Sequence, residues 1–230
     1  MKSPAVVSRA FFKLNYLKVF VSILFCLLAF NMAFAQQRIV AECTVVYKVE
    51  SQEASDAGMH QKATKTVYIK SNNARIDLVA PAYSQTTIYN KTTSTATILR
   101  SFGEDKYMTP LNLTQWRKVN AALDSVQIQM TSDSISILDY TCKKAVLHLK
   151  DETQVVVYYT TAIIPSVREY EYLFKDIPGF VLGYEMKDAA GSKTVFRATQ
   201  INLYNPVSAS RFDIPTKDYR VIAVDDSIKL

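Results

Sequence analysis

Apolar and polar residues alternate with a period of two along much of this chain, the pattern of strands that bury one face. Between 38 and 50, Ile39, Ala41, Cys43, Val45, Tyr47 and Val49 share one face, while Glu42, Thr44, Lys48 and Glu50 lie among the positions of the other. Residues 145–149 repeat the pattern, with Ala145, Leu147 and Leu149 set against Val146 and His148. Further strands are predicted near 65–71, 74–80, 85–89 and 95–101, separated by turns at Ser71-Asn72-Asn73, Pro81 and Asn90-Lys91. Others fit 125–130, 134–141, 154–160, 180–187 and 193–203. A polar loop spans 51–63. The period becomes helical between Pro110 and Leu123, where Leu113, Trp116, Val119 and Leu123 recur near helical spacing. The short connections predict sequential antiparallel neighbours in one mainly β domain.

Residues 155–159 break the alternation. Val155, Val157 and Tyr159 lie on one face, and Val156 and Tyr158 on the other. A strand apolar on both faces must be covered on both, and in an antiparallel sheet the second cover is a helix, a lid or a ligand. The reading with functional content is an apolar cavity walled in part by Val155, Val157, Tyr159, Phe180 and Leu182. Tyr170, Tyr172, Phe174 and Tyr184 crowd the same stretch. Aromatics there serve either as ordinary core or as a wall offering apolar faces with a polar handle. Pro178-Gly179 pairs a fixed φ with a residue free to take positive φ, a turn signal before the next strand.

The first 35 residues belong to targeting rather than fold. Lys2, Arg9, Lys13 and Lys18 form a basic region without an acidic residue. An apolar run from Val19 to Phe30 is broken only by Ser22, and Ala33-Phe34-Ala35 supplies a small-x-small cleavage site. The run is shorter than the roughly 20 apolar residues that a membrane span needs. A cleaved signal peptide over 1–35, a mature domain over 36–230, and no integral membrane segment after cleavage are therefore expected. The formal charge of the whole chain is +6; without the four leader cations, 23 Lys and Arg stand against 21 acidic residues. The basicity thus belongs mainly to the leader, and nucleic-acid binding loses its argument.

Two cysteines follow the leader, Cys43 and Cys142. In an oxidising envelope they are a candidate disulfide, and closing a loop of roughly 100 residues contributes on the order of 4 kcal/mol. The alternative is two buried thiols acting as small hydrophobes. Catalysis finds no constellation: the two histidines, His60 and His148, fall in a polar loop and on a solvent face. No nucleophile elbow, zinc motif or phosphate-cradling loop occurs. A non-enzymatic protein without metal or cofactor is expected.

Short motifs carry a resemblance. Tyr140-x-Cys142-Lys143-Lys144-Ala145, the strand ending Tyr158-Tyr159-Thr160, and Ile177-Pro178-Gly179-Phe180-Val181-Leu182 resemble the GLPGLI family of secreted Gram-negative envelope proteins. Thr66-Val67-Tyr68-Ile69-Lys70, Asn73-Ala74-Arg75-Ile76-Asp77 and Arg211-Phe212-Asp213-Ile214-Pro215 resemble a related domain-of-unknown-function family. Both families are similar in pattern to lipoprotein carriers of the LolA/LolB type. The resemblance implies a curved antiparallel sheet or open half-barrel, with one or two short helices on or near its concave face. It implies a periplasmic or secreted carrier-like module for an apolar or lipidic ligand. The alternative is an envelope structural or assembly protein that binds a protein partner through the same sheet.

Overall fold

The computed structural model describes residues 37–51, 63–151, 153–187 and 193–224. The chain divides into two compact units, Met1–Gln37 and Arg38–Leu230. The expected leader, most of the 51–63 loop and His60 lie outside the described residues.

The second unit is built on one curved, open sheet of twelve strands. Its first half is a meander of β2 (Glu42–Ser51), β3 (Thr64–Lys70), β4 (Asn73–Ala80), β5 (Tyr83–Asn90), β6 (Thr95–Phe102) and β7 (Asp105–Leu111). A short helix, α1 (Leu113–Val119), leads to the second half. That half comprises β8 (Gln127–Ile137), β9 (Tyr140–His148), β10 (Gln154–Thr160), β12 (Phe180–Lys187) and β13 (Lys193–Asn202). The halves join where β13 pairs antiparallel with β2, Tyr47 opposite Ala198 and Val45 opposite Ile201. β14 (Arg220–Val221) extends the β7 edge, and β8 forms the other. A separate parallel ribbon pairs β1 (Arg38–Val40) with β11 (Ile163–Pro165).

The predicted alternation on β2 is observed: Cys43, Val45, Tyr47 and Val49 are buried, and the intervening residues are more exposed. On β9, Ala145 and Leu147 are buried. Several boundaries differ from the sequence reading. The strand read over 38–50 breaks at Ala41: Arg38–Val40 pairs with Ile163–Pro165 instead, so Ile39, expected on the buried face, is 69% exposed and Val40 is buried. The helix begins at Leu113 rather than Pro110, because residues through Leu111 pair with β6 and Pro110 sits opposite Thr97. Proline is tolerated there because β7 has only the two-residue β14 on its outer side, opposite Tyr107 and Met108. Asn112 then caps the helix: its Oδ1 accepts from the Gln115 backbone N–H at 3.0 Å, and Gln115 Oε1 accepts from the Asn112 N–H at 2.9 Å. Segments 125–130 and 134–141, read as two strands, form most of the single strand β8, whose register shifts between Met130 and Ser134. The β8–β9 turn is Leu138-Asp139, both at positive φ (49° and 64°), the geometry of a two-residue hairpin turn.

Gly179 also departs from expectation. Its φ lies outside the left-handed region, so conformational freedom is not what the turn requires. A Cβ at this position would stand 2.1 Å from the Thr160 carbonyl oxygen. Close approach of two backbones selects glycine here.

Candidate functional site

The chain itself covers the Val155, Val157 and Tyr159 face of β10, while Val156 and Tyr158 on the other face are half-buried. Residues 166–179 cross back over the sheet between β11 and β12, and Phe174 and Ile177 pack with Val155, Val157 and Tyr159 in one buried cluster. Phe180 and Leu182 belong to another cluster, with Cys43, Tyr47 and Trp116. All five predicted cavity residues are at most 4% exposed. None of them lines the clefts beside Trp116 or the small one against Gly179 and Val181. The structure therefore places Val155, Val157, Tyr159, Phe180 and Leu182 in packed core, because the crossing segment supplies the apolar surface that the sequence reading reserved for a cavity. Cys43 and Cys142 are separate buried thiols rather than a bridge. Burial pushes the Cys43 thiol up to about 12 and the Cys142 thiol up to about 11.

The crossing segment is strapped down by polar contacts. Lys91 Nζ donates to the Ser166 carbonyl at 2.8 Å, and Ser166 Oγ donates to the Ser71 carbonyl at 2.8 Å. The strongest strap lies deeper. Lys65 on β3 sits opposite Tyr47 on β2 and is 4% exposed. Its ammonium is ion-paired with Glu171 of the crossing segment and donates to Tyr184 Oη at 3.0 Å. The same Nζ lies over the rings of Tyr47, Tyr184 and Phe196 at 4.8–5.8 Å from their centroids. Tyr47 Oη donates to the Val181 carbonyl at 2.7 Å. Burial, reinforced by the Glu171 carboxylate, holds the Tyr47, Tyr170 and Tyr184 hydroxyls well above their ordinary range, so they remain neutral donors.

Between the crossing segment and α1, two clefts open on either side of Trp116. The first, of about 300 Å³, takes Tyr89, Lys91 and Ser94 from the end of β5 and the β5–β6 turn. Leu113, Trp116 and Arg117 of α1 form one wall, and Glu169, Tyr172 and Lys175 the other. The second, of about 250 Å³, has β5 and β6 side chains including Ile98 and Arg100 for a floor. Val119, Leu123 and Leu173 supply its apolar walls, and Tyr170 and Glu171 its polar edge. Trp116 and Tyr172 belong to both.

Trp116, the single tryptophan of the chain, is 7% exposed. Its ring stands 5.7 Å from Tyr89 and 6.4 Å, edge-on, from Tyr172. Among the described residues its Nε1–H is a buried polar group without a hydrogen-bond partner. The surrounding frame is held firmly. Asn120 Nδ2 donates to the Trp116 carbonyl at 2.8 Å. Asp124 Oδ1 accepts from Tyr172 Oη at 2.6 Å and from Lys175 Nζ at 2.8 Å. Those two bonds, that from Lys175 foremost, hold the Asp124 carboxyl below its ordinary range. Burial opposes the Lys175 charge, but its bonds to Asp124 and Tyr172 outweigh it and raise its pKa.

In the sequence, Tyr172 stood among the aromatics read as either core or cavity wall, whereas Trp116 carried no site reading. Trp116 appeared there only as one apolar position of a helix. Among the described residues no group of three or more His, Cys, Asp or Glu side chains could hold a metal ion. No described helix is long and apolar enough to cross a membrane. His148 lies on the exposed side of β9, with Nε2 at 3.2 Å from Gln129 Oε1.

No protein-family model matches the chain, and no curated protein matches it. Solved structures do show likeness. PNGF-II is 16% identical with a TM-score of 0.44, the match covering 80% of this chain and 31% of that one. The chain thus spans about a third of the length of PNGF-II. An uncharacterized conserved protein from Thermus thermophilus is 10% identical with a TM-score of 0.49, over 80% of this chain and 91% of that one. A LolA superfamily protein from Nitrosomonas europaea is 12% identical with a TM-score of 0.35, over 79% and 92%. Likeness at this level assigns the chain neither ligand nor partner.

Proposed function

We propose that this chain is a non-catalytic binding module of the Gram-negative envelope that holds an apolar or amphipathic ligand beside Trp116. The observation that carries this reading is the indole N–H of Trp116, buried without an acceptor in the wall shared by two clefts. An orphaned buried donor costs about 1–3 kcal/mol, which an acceptor supplied by a ligand recovers. Concave, largely apolar clefts with a few convergent polar groups are the ordinary form of a small-molecule site. The envelope location rests on the basic, apolar and small-residue order of residues 1–35. A second reading, a protein partner that adds a strand to the sheet, draws on β8, an 11-residue edge strand with most of its side chains exposed.

The test uses protein released from the periplasm by osmotic shock, its recovery there being the first outcome. Because Trp116 is the only tryptophan, its fluorescence reports on the site alone. Titration with lysophospholipid should shift the emission saturably, and native mass spectrometry should show one lipid retained per chain. An unresponsive tryptophan together with a lipid-free mass would reject the ligand reading and leave the strand-partner one.

A further inference from the structure

We infer that the cleft on the Tyr89 side of Trp116 is a subsite for an anionic head group, a carboxylate or phosphate monoester carried on an apolar tail. The inference rests on the binding reading above and adds the sign of the ligand's charge. Three elements converge on this cleft with a cation each: Lys91 from the β5–β6 turn, Arg117 from α1 and Lys175 from the crossing segment. Glu169 is the one carboxylate in the lining. Glu169 Oε2 accepts the Arg168 backbone N–H at 3.1 Å.

The donors have capacity to spare. A lysine ammonium carries three N–H groups. Lys91 makes its bond to the Ser166 carbonyl, and Lys175 makes its bond to Asp124 while lying 3.7 Å from the Tyr172 ring centroid. The indole N–H of Trp116, shielded from solvent and unpartnered, can only donate, so a ligand atom brought against it must be an acceptor. A neutral acceptor would satisfy Trp116 and leave the cations unused; a cationic head would face three like charges. An anionic oxygen satisfies both requirements, through charge-assisted bonds that are roughly twice as strong as neutral ones.

The second cleft suits the tail. Its charged groups are already engaged: Arg100 Nε donates to Gln85 Oε1 at 2.9 Å, and Glu171 is held by Lys65. Ile98, Val119, Leu123 and Leu173 remain as apolar lining.

Calorimetric titration of the exported protein with four tail-matched probes decides the matter, each kept below its micelle-forming concentration. They are dodecanoate, dodecyl phosphate, dodecyl maltoside and dodecyltrimethylammonium. At least one anion should bind about ten-fold tighter than the maltoside or more, and the cation should bind weakest. The two anionic arms separate a carboxylate ligand from a phosphate one. Lys91→Gln and Arg117→Gln should each weaken the anions several-fold more than they weaken the maltoside, narrowing the gap between the two, and Trp116→Phe should weaken the anions with the fold still cooperative. Equal affinity for anion and maltoside, tightest binding of the cation, or anion affinities untouched by all three substitutions would overturn the anionic subsite and leave the binding reading standing. No binding of any probe would overturn both.

Discussion

Lys65 is the most informative position to perturb, because its ammonium is buried in a sheet that has an aqueous face available elsewhere. Leaving one member of a buried ion pair without its partner costs about 3–5 kcal/mol, a large share of the roughly 5–15 kcal/mol that holds a domain together. The two single substitutions should not cost the same. Glu171→Leu strands an ammonium that is 4% exposed, among three aromatic rings, with only the Tyr184 hydroxyl left as an acceptor. That variant should fall near the top of the range. Lys65→Met keeps the aliphatic packing and strands a carboxylate that is 21% exposed and borders a cleft. Water reaches it, and the cost should fall at or below the lower end. The double variant Lys65→Met/Glu171→Leu removes both charges and keeps the volume, so it should recover most of the loss. Urea denaturation of the four proteins gives the cycle directly, provided the m-values agree. Repeating it at high salt should change the coupling little, because a buried pair is poorly screened. Additive single costs, or a Glu171→Leu loss under about 1 kcal/mol, would refute the claim that this pair straps the crossing segment to the sheet.

Gly179→Ala forces a Cβ to within 2.1 Å of a backbone oxygen and should destabilise by about 1–3 kcal/mol or more. Gly183→Ala has as its one tight neighbour the flexible end of Ile137 at 3.0 Å, with the Phe196 carbonyl at an ordinary 3.5 Å, and should cost less; thermal melts that rank the two in the opposite order would contradict the close-approach account. The thiols give a pH signature. Cys43 rises from an ordinary 9.0 to about 12 in the fold, so its contribution to stability is complete below about pH 9 and is lost as pH rises toward 12, where the unfolded chain ionises first. The alkaline decline should be shallower in Cys43→Ala, while the buried tyrosines keep some of it. Unfolded, unreduced protein should titrate with two free thiols after the leader, and finding none would restore the disulfide.

The alternation over 43–49 and over 145–149 was legible because one face of each run is uniformly apolar, and a period of two has no other economical explanation. The Leu138-Asp139 turn was not, since neither residue announces positive φ as Gly or Asn would. Pro110 misled in the opposite direction: proline reads as a helix start, whereas here it occupies a nearly unpaired strand edge. The largest difference concerns β10. Its doubly apolar character suggested a cover on each face, yet residues 166–179 cover the Val155, Val157 and Tyr159 face while Val156 and Tyr158 stay half-buried, a distinction composition alone does not carry. Trp116 could have been noticed as a lone indole on a short, well-capped helix. That its N–H lacks an acceptor depends on where Tyr89 and Tyr172 arrive from distant parts of the chain, which no local pattern records.

The seam between β2 and β13 has a consequence for how such a chain can be made. Most strands of the sheet pair with a near neighbour in sequence, but Tyr47 waits for Ala198 and Phe196 for Val49. Contacts so far apart in sequence are slow to form, because their loop must close before they reward it. As the chain is synthesised, the first meander forms with β2 as an open edge, its buried face of Cys43, Val45, Tyr47 and Val49 still uncovered on that side. An incompletely made chain is therefore a half-sheet with a sticky margin, open to pairing with other chains until β13 arrives to seal it.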